Sequence, residues 1–269
     1  MAKGKWTTSR IRQCKGRHPL ACLTAHDWGT ARLLDDAGIP LILVGDSLAM
    51  TVLGYRNTLP VTLAEMLHHA AAVARGVTQA MVVADMPFLS YQGAVSEAVI
   101  HAGRFLKEAG VDAVKIEGGA TRAALVKALV ENGIPVLGHI GLMPQSLQAM
   151  GGYKVQGRTA EGMDRLLADA QALDEAGVFA MVLECLPPSA GERITAAVRV
   201  PTIGIGAGPR CDGQILVLHD LLGLTGDSTP KFAKRYGDLG TAIRTAVAGY
   251  RDDVERGSFP GPEHCYSES

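Results

Sequence analysis

Four carboxylates, a lysine and a histidine stand where short apolar runs stop. Asp46 and Ser47 follow Leu41-Ile42-Leu43-Val44-Gly45, Asp85 follows Ala80-Met81-Val82-Val83-Ala84, and Lys115 and Glu117 lie in Ala113-Val114-Lys115-Ile116-Glu117. His139 ends the run Ile134-Pro135-Val136-Leu137-Gly138-His139, and Glu184 ends Ala180-Met181-Val182-Leu183-Glu184. Burying Asp46 against such a run is costly unless it is paired or bound to a cation. Four clustered carboxylates repel one another, so either a divalent cation neutralises them or some stay protonated. Oxygen ligands without a His/Cys cluster suit Mg²⁺ better than zinc, and Mg²⁺ takes one or two carboxylates plus substrate and water. A carboxylate then remains to act as a base and the lysine to hold an anionic group. That set fits proton abstraction next to a carbonyl, with cation and lysine stabilising the enolate.

The elements that must carry these groups repeat along the chain. Runs of branched aliphatics without polar alternation read as strands covered on both faces. Eight are legible: 20–24, 41–44, 80–84, 113–117, 134–139, 180–184, 202–206 and 214–218. Between them lie helical stretches, among them 28–37, one from Thr62 to about Arg75, then 96–109, 121–132, 160–176 and 190–197. Thr62 with Glu65 reads as a capping box, and Gly38, Gly76, Gly110, Gly133 and Gly177 stand at helix ends. A helix at the N-terminus, and helical segments near Leu221 and from Leu239 to Val254, complete the reading. The series predicts one (β/α)₈ barrel domain over residues 1–269, since such barrels run to roughly 250 residues. An open doubly wound sheet is the alternative, but no G-x-G-x-x-G follows the first strand. In a barrel, chemistry gathers at the C-terminal strand ends, where His26-Asp27, Asp46-Ser47, Asp85, Lys115/Glu117, His139 and Glu184 all fall.

Composition narrows the partners. The formal net charge is −1, which gives no basic field for nucleic acid or anionic lipid. The longest apolar stretches fall far short of the roughly 20 residues of a membrane helix. The five cysteines are odd in number and lack C-x-x-C spacing, which fits reduced thiols in a cytoplasmic protein. The basic N-terminal segment has no apolar run of the secretory kind and reads as a solvated helix. Cys185 beside Glu184 is a weak nucleophile candidate. His68 and His69, adjacent on a helix, lack the i, i+4 spacing of a metal clamp. The loop 140–159 is long enough to be functional. The run Gly204-Ile205-Gly206-Ala207-Gly208 is either a phosphate cradle or a tight turn.

Several motifs together resemble ketopantoate hydroxymethyltransferases: Leu43-Val44-Gly45-Asp46-Ser47-Leu48, Thr58-Leu59-Pro60-Val61-Thr62, Ala84-Asp85-Met86-Pro87-Phe88, Val114-Lys115-Ile116-Glu117-Gly118-Gly119, Gly138-His139-Ile140-Gly141-Leu142 and Gly151-Gly152-Tyr153-Lys154. The resemblance implies a barrel that assembles into a homodecamer. It also implies hydroxymethyl transfer from 5,10-methylenetetrahydrofolate to 3-methyl-2-oxobutanoate, giving 2-dehydropantoate for pantothenate and coenzyme A. By the same resemblance, Asp46 and Asp85 hold Mg²⁺ and Glu117 supports the metal site. Ser47 and Lys115 bind the keto acid's carboxylate end, His139 lies beside the substrate, and Glu184 is the base at C3. The chain departs from the family at His26, where Tyr is usual, at Ala49, where Gly is common, and around Arg56-Asn57. A Mg²⁺-dependent lyase or mutase of the isocitrate-lyase or phosphoenolpyruvate-mutase type would use similar groups, without folate and with a catalytic cysteine loop not found here. A non-catalytic barrel would not need six ionisable strand ends.

Overall fold

Branched aliphatic runs punctuated by glycine turns form eight short parallel strands. The computed structural model describes residues 4–226 and 230–267 and divides into two compact units between Val217 and Leu218. The first unit begins with α1 (Thr8–Gln13), β1 (Leu20–Thr24), α2 (Trp28–Asp36), β2 (Leu41–Val44), α3 (Leu48–Thr51) and α4 (Leu63–Gly76). It continues through β3 (Met81–Asp85), α5 (Val95–Arg104), β4 (Ala113–Glu117), α6 (Ala123–Glu131) and β5 (Val136–Gly141). It ends with α7 (Leu147–Met150), α8 (Ala160–Ala176), β6 (Ala180–Glu184), α9 (Pro188–Ala197), β7 (Thr202–Ile205) and β8 (Gly213–Leu216). The strands pair in parallel in chain order, and β8 closes on β1 through Leu20 opposite Gly213 and Cys22 opposite Ile215. This is the (β/α)₈ barrel expected from the sequence.

Side chains alternate across each strand, and the inward series explains where the site lies. The barrel core holds Leu20 and Cys22 of β1, Leu41 and Leu43 of β2, Met81 and Val83 of β3, Ala113 of β4, Leu137 of β5, and Ala180 and Val182 of β6. Continuing by twos along the same strands leads to Asp85, Lys115, Glu117, His139 and Glu184. Strands β3 to β6 therefore run from apolar to ionisable along one face. At the other end, α1 adds Ile11 and Cys14 to this core, with Trp6 packed against it. The helix is thus solvated on one side only, because Ile11 is fully buried.

Local chemistry sets the element ends. Thr62 Oγ1 accepts from the Glu65 amide at 3.2 Å while Glu65 Oε2 accepts from the Thr62 amide at 2.7 Å, closing the capping box. Strand β5 starts at Val136 rather than Ile134; Pro135 lacks an N–H and contributes only its carbonyl, which accepts from Val114. Strand β8 ends at Leu216, since Leu218 already opens a helix. Helix α5 passes into a π-helical turn at Phe105–Ala109 before Gly110 stops it. The loop after β5 carries a 3₁₀ turn at Pro144–Ser146 and then α7.

The second unit contains α10 (Leu218–Leu222) and α11 (Leu239–Glu255). Asp238 caps α11 by accepting from the Thr241 amide. Tyr250 meets Phe259 edge-on at 5.6 Å between ring centres. No helix among the described residues is long and apolar enough to cross a membrane.

Candidate active site

Six of the seven residues singled out by the sequence meet at the C-terminal end of the barrel through direct contacts. Lys115 Nζ lies 2.6 Å from Asp85 Oδ1 and 3.9 Å from Glu117 Oε1. Asp85 Oδ2 accepts from the Asp46 amide at 2.9 Å, so β3 fixes the turn that follows β2. That turn needs Gly45: a Cβ there would stand 3.0 Å from Ser47 Oγ and 3.6 Å from Asp85 Oδ2. On the other side of Lys115, His139 Nδ1 is 3.6 Å from Glu117 Oε1 and His139 Nε2 is 3.3 Å from Glu184 Oε2. Neither ring nitrogen makes an aligned hydrogen bond. The seventh residue, Ser47, follows Asp46 directly, and its buried hydroxyl has no hydrogen-bond partner.

The electrostatics are unbalanced in a specific way. Asp46, Asp85, Lys115 and Glu117 are all buried, and one ammonium faces three carboxyl groups. Burial, reinforced by the Asp85 charge, pushes the Asp46 carboxyl up to about 7. Burial likewise drives Glu117 well above the ordinary carboxylate range, against the pull of Lys115. Burial works against the charge on Lys115, but Asp85, Glu117 and Asp46 outweigh it and hold the ammonium protonated. Burial, then the Lys115 charge, lowers His139. A neutral imidazole has one N–H to share between Glu117 and Glu184. The pocket therefore lacks positive charge, and a proton or a cation relieves it.

The donor set fits a hard cation that completes its shell with substrate and water oxygens. Among the described residues, no three His, Cys, Asp or Glu side chains converge into a complete metal cage. Mg²⁺ does not require one, because one or two carboxylates with substrate and water oxygens complete its octahedron. Asp46 and Asp85 are adjacent, and Ser47 offers an unpartnered hydroxyl beside them. Glu117 stands behind this pair, its Oε2 already accepting from the Gln145 amide at 3.1 Å.

Glu184 differs from the other carboxylates in being partly accessible, with its side chain 15% exposed. It is positioned by a tight crossing: a Cβ on Gly141 would fall 2.2 Å from the Glu184 carbonyl oxygen. The next residue, Cys185, takes a left-handed φ of 51°, which costs a non-glycine residue on the order of 1 kcal/mol. Its amide donates to Ile205 and its carbonyl accepts from Gln156, each at 2.9 Å, and these bonds hold the strained turn. Burial, then the Glu184 charge, pushes the Cys185 thiol up to about 11, which argues against a nucleophile.

Other expectations resolve simply. The glycine run after β7 is a tight turn packed on α9, since a Cβ on Gly208 would meet Pro188 and one on Gly191 would meet the Ala207 carbonyl. His26 is buried, and its carbonyl contacts His69 Nδ1 at 2.7 Å. Asp27 caps α2 by accepting from the Thr30 amide at 2.9 Å. Three buried residues were given no role by the sequence reading. Gln145 donates to Asp46, Tyr91 accepts from the Glu117 amide and donates to Gln145, and the Thr58 hydroxyl faces Asp46 without an aligned hydrogen bond. Thr58 opens a motif already noted, and the one available signal for Gln145 and Tyr91 was their place in loops that follow strands.

Comparison with known proteins agrees with this architecture. Phosphonopyruvate hydrolase, solved with oxalate and Mg²⁺, is 15% identical with a TM-score of 0.59, covering 96% of this chain and 93% of that one. A 2,3-dimethylmalate lyase, described as a PEP mutase/isocitrate lyase superfamily member, is 18% identical with a TM-score of 0.59, covering 97% and 92%. At such identities the likeness concerns the fold alone. In sequence, the chain is 55% identical over 265 residues to the 3-methyl-2-oxobutanoate hydroxymethyltransferase of Koribacter versatilis, covering 98% of this chain and 90% of the relative. The protein of the same name from Nitratidesulfovibrio vulgaris (strain DP4) is 56% identical over 260 residues, covering 97% and 85%. The family described as ketopantoate hydroxymethyltransferase matches residues 5–262, and the chain belongs to that family.

Proposed function

We propose that this protein transfers a hydroxymethyl group from 5,10-methylenetetrahydrofolate to 3-methyl-2-oxobutanoate, giving 2-dehydropantoate. The observation that carries the reading is the buried cluster of Asp46, Asp85 and Glu117 with Lys115 as its one ammonium, facing the accessible Glu184 across His139. Bound at Asp46 and Asp85, Mg²⁺ would polarise the α-keto group and make the C3 proton more acidic. Lys115 and Ser47 bind the carboxylate end of the keto acid. Glu184 takes the C3 proton, and the His139 N–H steadies the Glu184 carboxylate. The electron pair left at C3 forms a carbon–carbon bond to the folate methylene. Both of that carbon's bonds to folate nitrogen break, water supplies the hydroxyl oxygen, and tetrahydrofolate leaves. The same reading includes a cytoplasmic setting and assembly as a decamer.

The test is an assay of 3-methyl-2-oxobutanoate with methylenetetrahydrofolate, with and without Mg²⁺. The expected result is 2-dehydropantoate formation that stops when the cation is chelated and when folate is omitted. Consumption of the keto acid without folate, to a product other than 2-dehydropantoate, supports the lyase or mutase alternative, and no turnover under any condition refutes the assignment.

A further inference from the structure

We infer that Gln145, locked in place by Tyr91, is a positioning residue that sets how the Asp46 carboxylate is presented to its ligand. The inference rests on the placement of a cation at Asp46 proposed above. Gln145 is 4% exposed and Tyr91 is 2% exposed, and every polar atom of the Gln145 side chain is engaged. Its Nε2 donates to Asp46 Oδ2 at 3.0 Å and to the Met86 carbonyl at 2.9 Å. Its Oε1 accepts from the Tyr91 hydroxyl at 2.7 Å.

These contacts fix the amide's orientation by chemistry. A flipped amide would point an oxygen at a carboxylate and a carbonyl, leaving buried acceptors facing one another. The phenol has a single proton, and the short bond to Gln145 takes it, so the same oxygen is free to accept from the Glu117 amide at 3.3 Å. The backbone N–H of Gln145 meanwhile holds Glu117 Oε2, turning Oε1 towards Lys115 and His139. One loop residue after β5 thereby ties down the carboxylates that follow β2 and end β4. Asp46 Oδ2 accepts from the amide, which leaves Oδ1 the freer oxygen to meet a ligand. The contacts beyond a metal's own ligands set its affinity by about 10–100-fold, and Gln145 is such a contact here.

Mn²⁺ serves as the probe, with free ion counted by electron paramagnetic resonance at 25 °C and the spectrum of the bound ion recorded. Four full-length proteins are compared: wild type, Gln145→Met, Tyr91→Phe and Asp46→Asn. We expect Gln145→Met to weaken Mn²⁺ binding about tenfold or more and to alter the bound-ion spectrum. Tyr91→Phe, which removes the hydrogen bond to Gln145 and the weaker one from the Glu117 amide, is expected to weaken it about threefold. A merely structural Gln145 would lower the melting temperature and leave both readouts unchanged. Wild-type affinity and spectrum in Gln145→Met, with binding lost in Asp46→Asn, overturns the inference and leaves the proposed function standing. If Gln145→Met does not fold, Tyr91→Phe decides alone, and unchanged affinity there overturns it. Wild-type binding in Asp46→Asn removes the cation from that carboxylate and overturns both.

Discussion

Lys115 shows how much a single side chain does in this pocket. Its ammonium is 2.6 Å from Asp85 and balances a cluster that also holds Asp46 and Glu117. Removing one partner of a buried pair leaves the other charge uncompensated, at a cost of about 3–5 kcal/mol. Lys115→Met is therefore expected to lose stability in that range in urea denaturation and to raise the KM for the keto acid. A variant with wild-type stability and KM would show that the ammonium neither balances the cluster nor holds substrate. The ionisable residues were legible in the sequence because apolar runs isolate them. Gln145 was not, because nothing in Pro144-Gln145-Ser146 shows that the loop folds back to Asp46 and Met86. Tyr91 was hidden for the same reason, since its significance arises only from contact with Gln145 and Glu117.

At the scale of elements, the strands position the site, and their own entry points are held by carboxylates far from it. Asp35 near the end of α2 accepts from the amides of Thr78, Gln79 and Ala80 and from the Thr78 hydroxyl, at 2.6 to 3.1 Å. This ties α2 to the start of β3. Burial opposes the Asp35 charge, but the Ala80 and Thr78 hydrogen bonds outweigh it and hold the carboxyl below the usual range. A folded-state pKa below the unfolded value of about 3.9 stabilises the protein above that pH. The contribution is lost as pH falls through the lower folded-state value. Asp35→Ala strands several N–H donors, each costing about 1–3 kcal/mol where buried, so a total loss of about 3 kcal/mol is expected at pH 7. The gap between wild type and variant should shrink as pH falls below about 3.9; a gap independent of pH would contradict the assignment. Element types could be read because aliphatic runs and glycine stops are local signals. Boundaries such as the start of β5 depended on ladder partners that no local signal records.

At the scale of the molecule, the closed barrel lets one face collect groups from five neighbouring strands, β2 to β6, spread over about half the chain. The order of strands in that barrel follows from short connections between parallel neighbours, which is why the sequence disclosed it. Assembly is different, because surfaces between copies have no fixed period. The proposed decamer predicts that light scattering returns ten times the 28.3 kDa chain mass. A dimer or tetramer mass would contradict that part of the proposal without touching the chemistry.

The central claim is that Glu184 removes the C3 proton of a keto acid held at the Asp46–Asp85–Lys115 cluster. It is tested most directly by following exchange of that proton with deuterated water, with Mg²⁺ present and folate absent. The account predicts exchange in the wild-type protein that needs the cation and nearly vanishes in Glu184→Gln, while keto acid binding persists in the variant. Exchange at the wild-type rate in Glu184→Gln would contradict it.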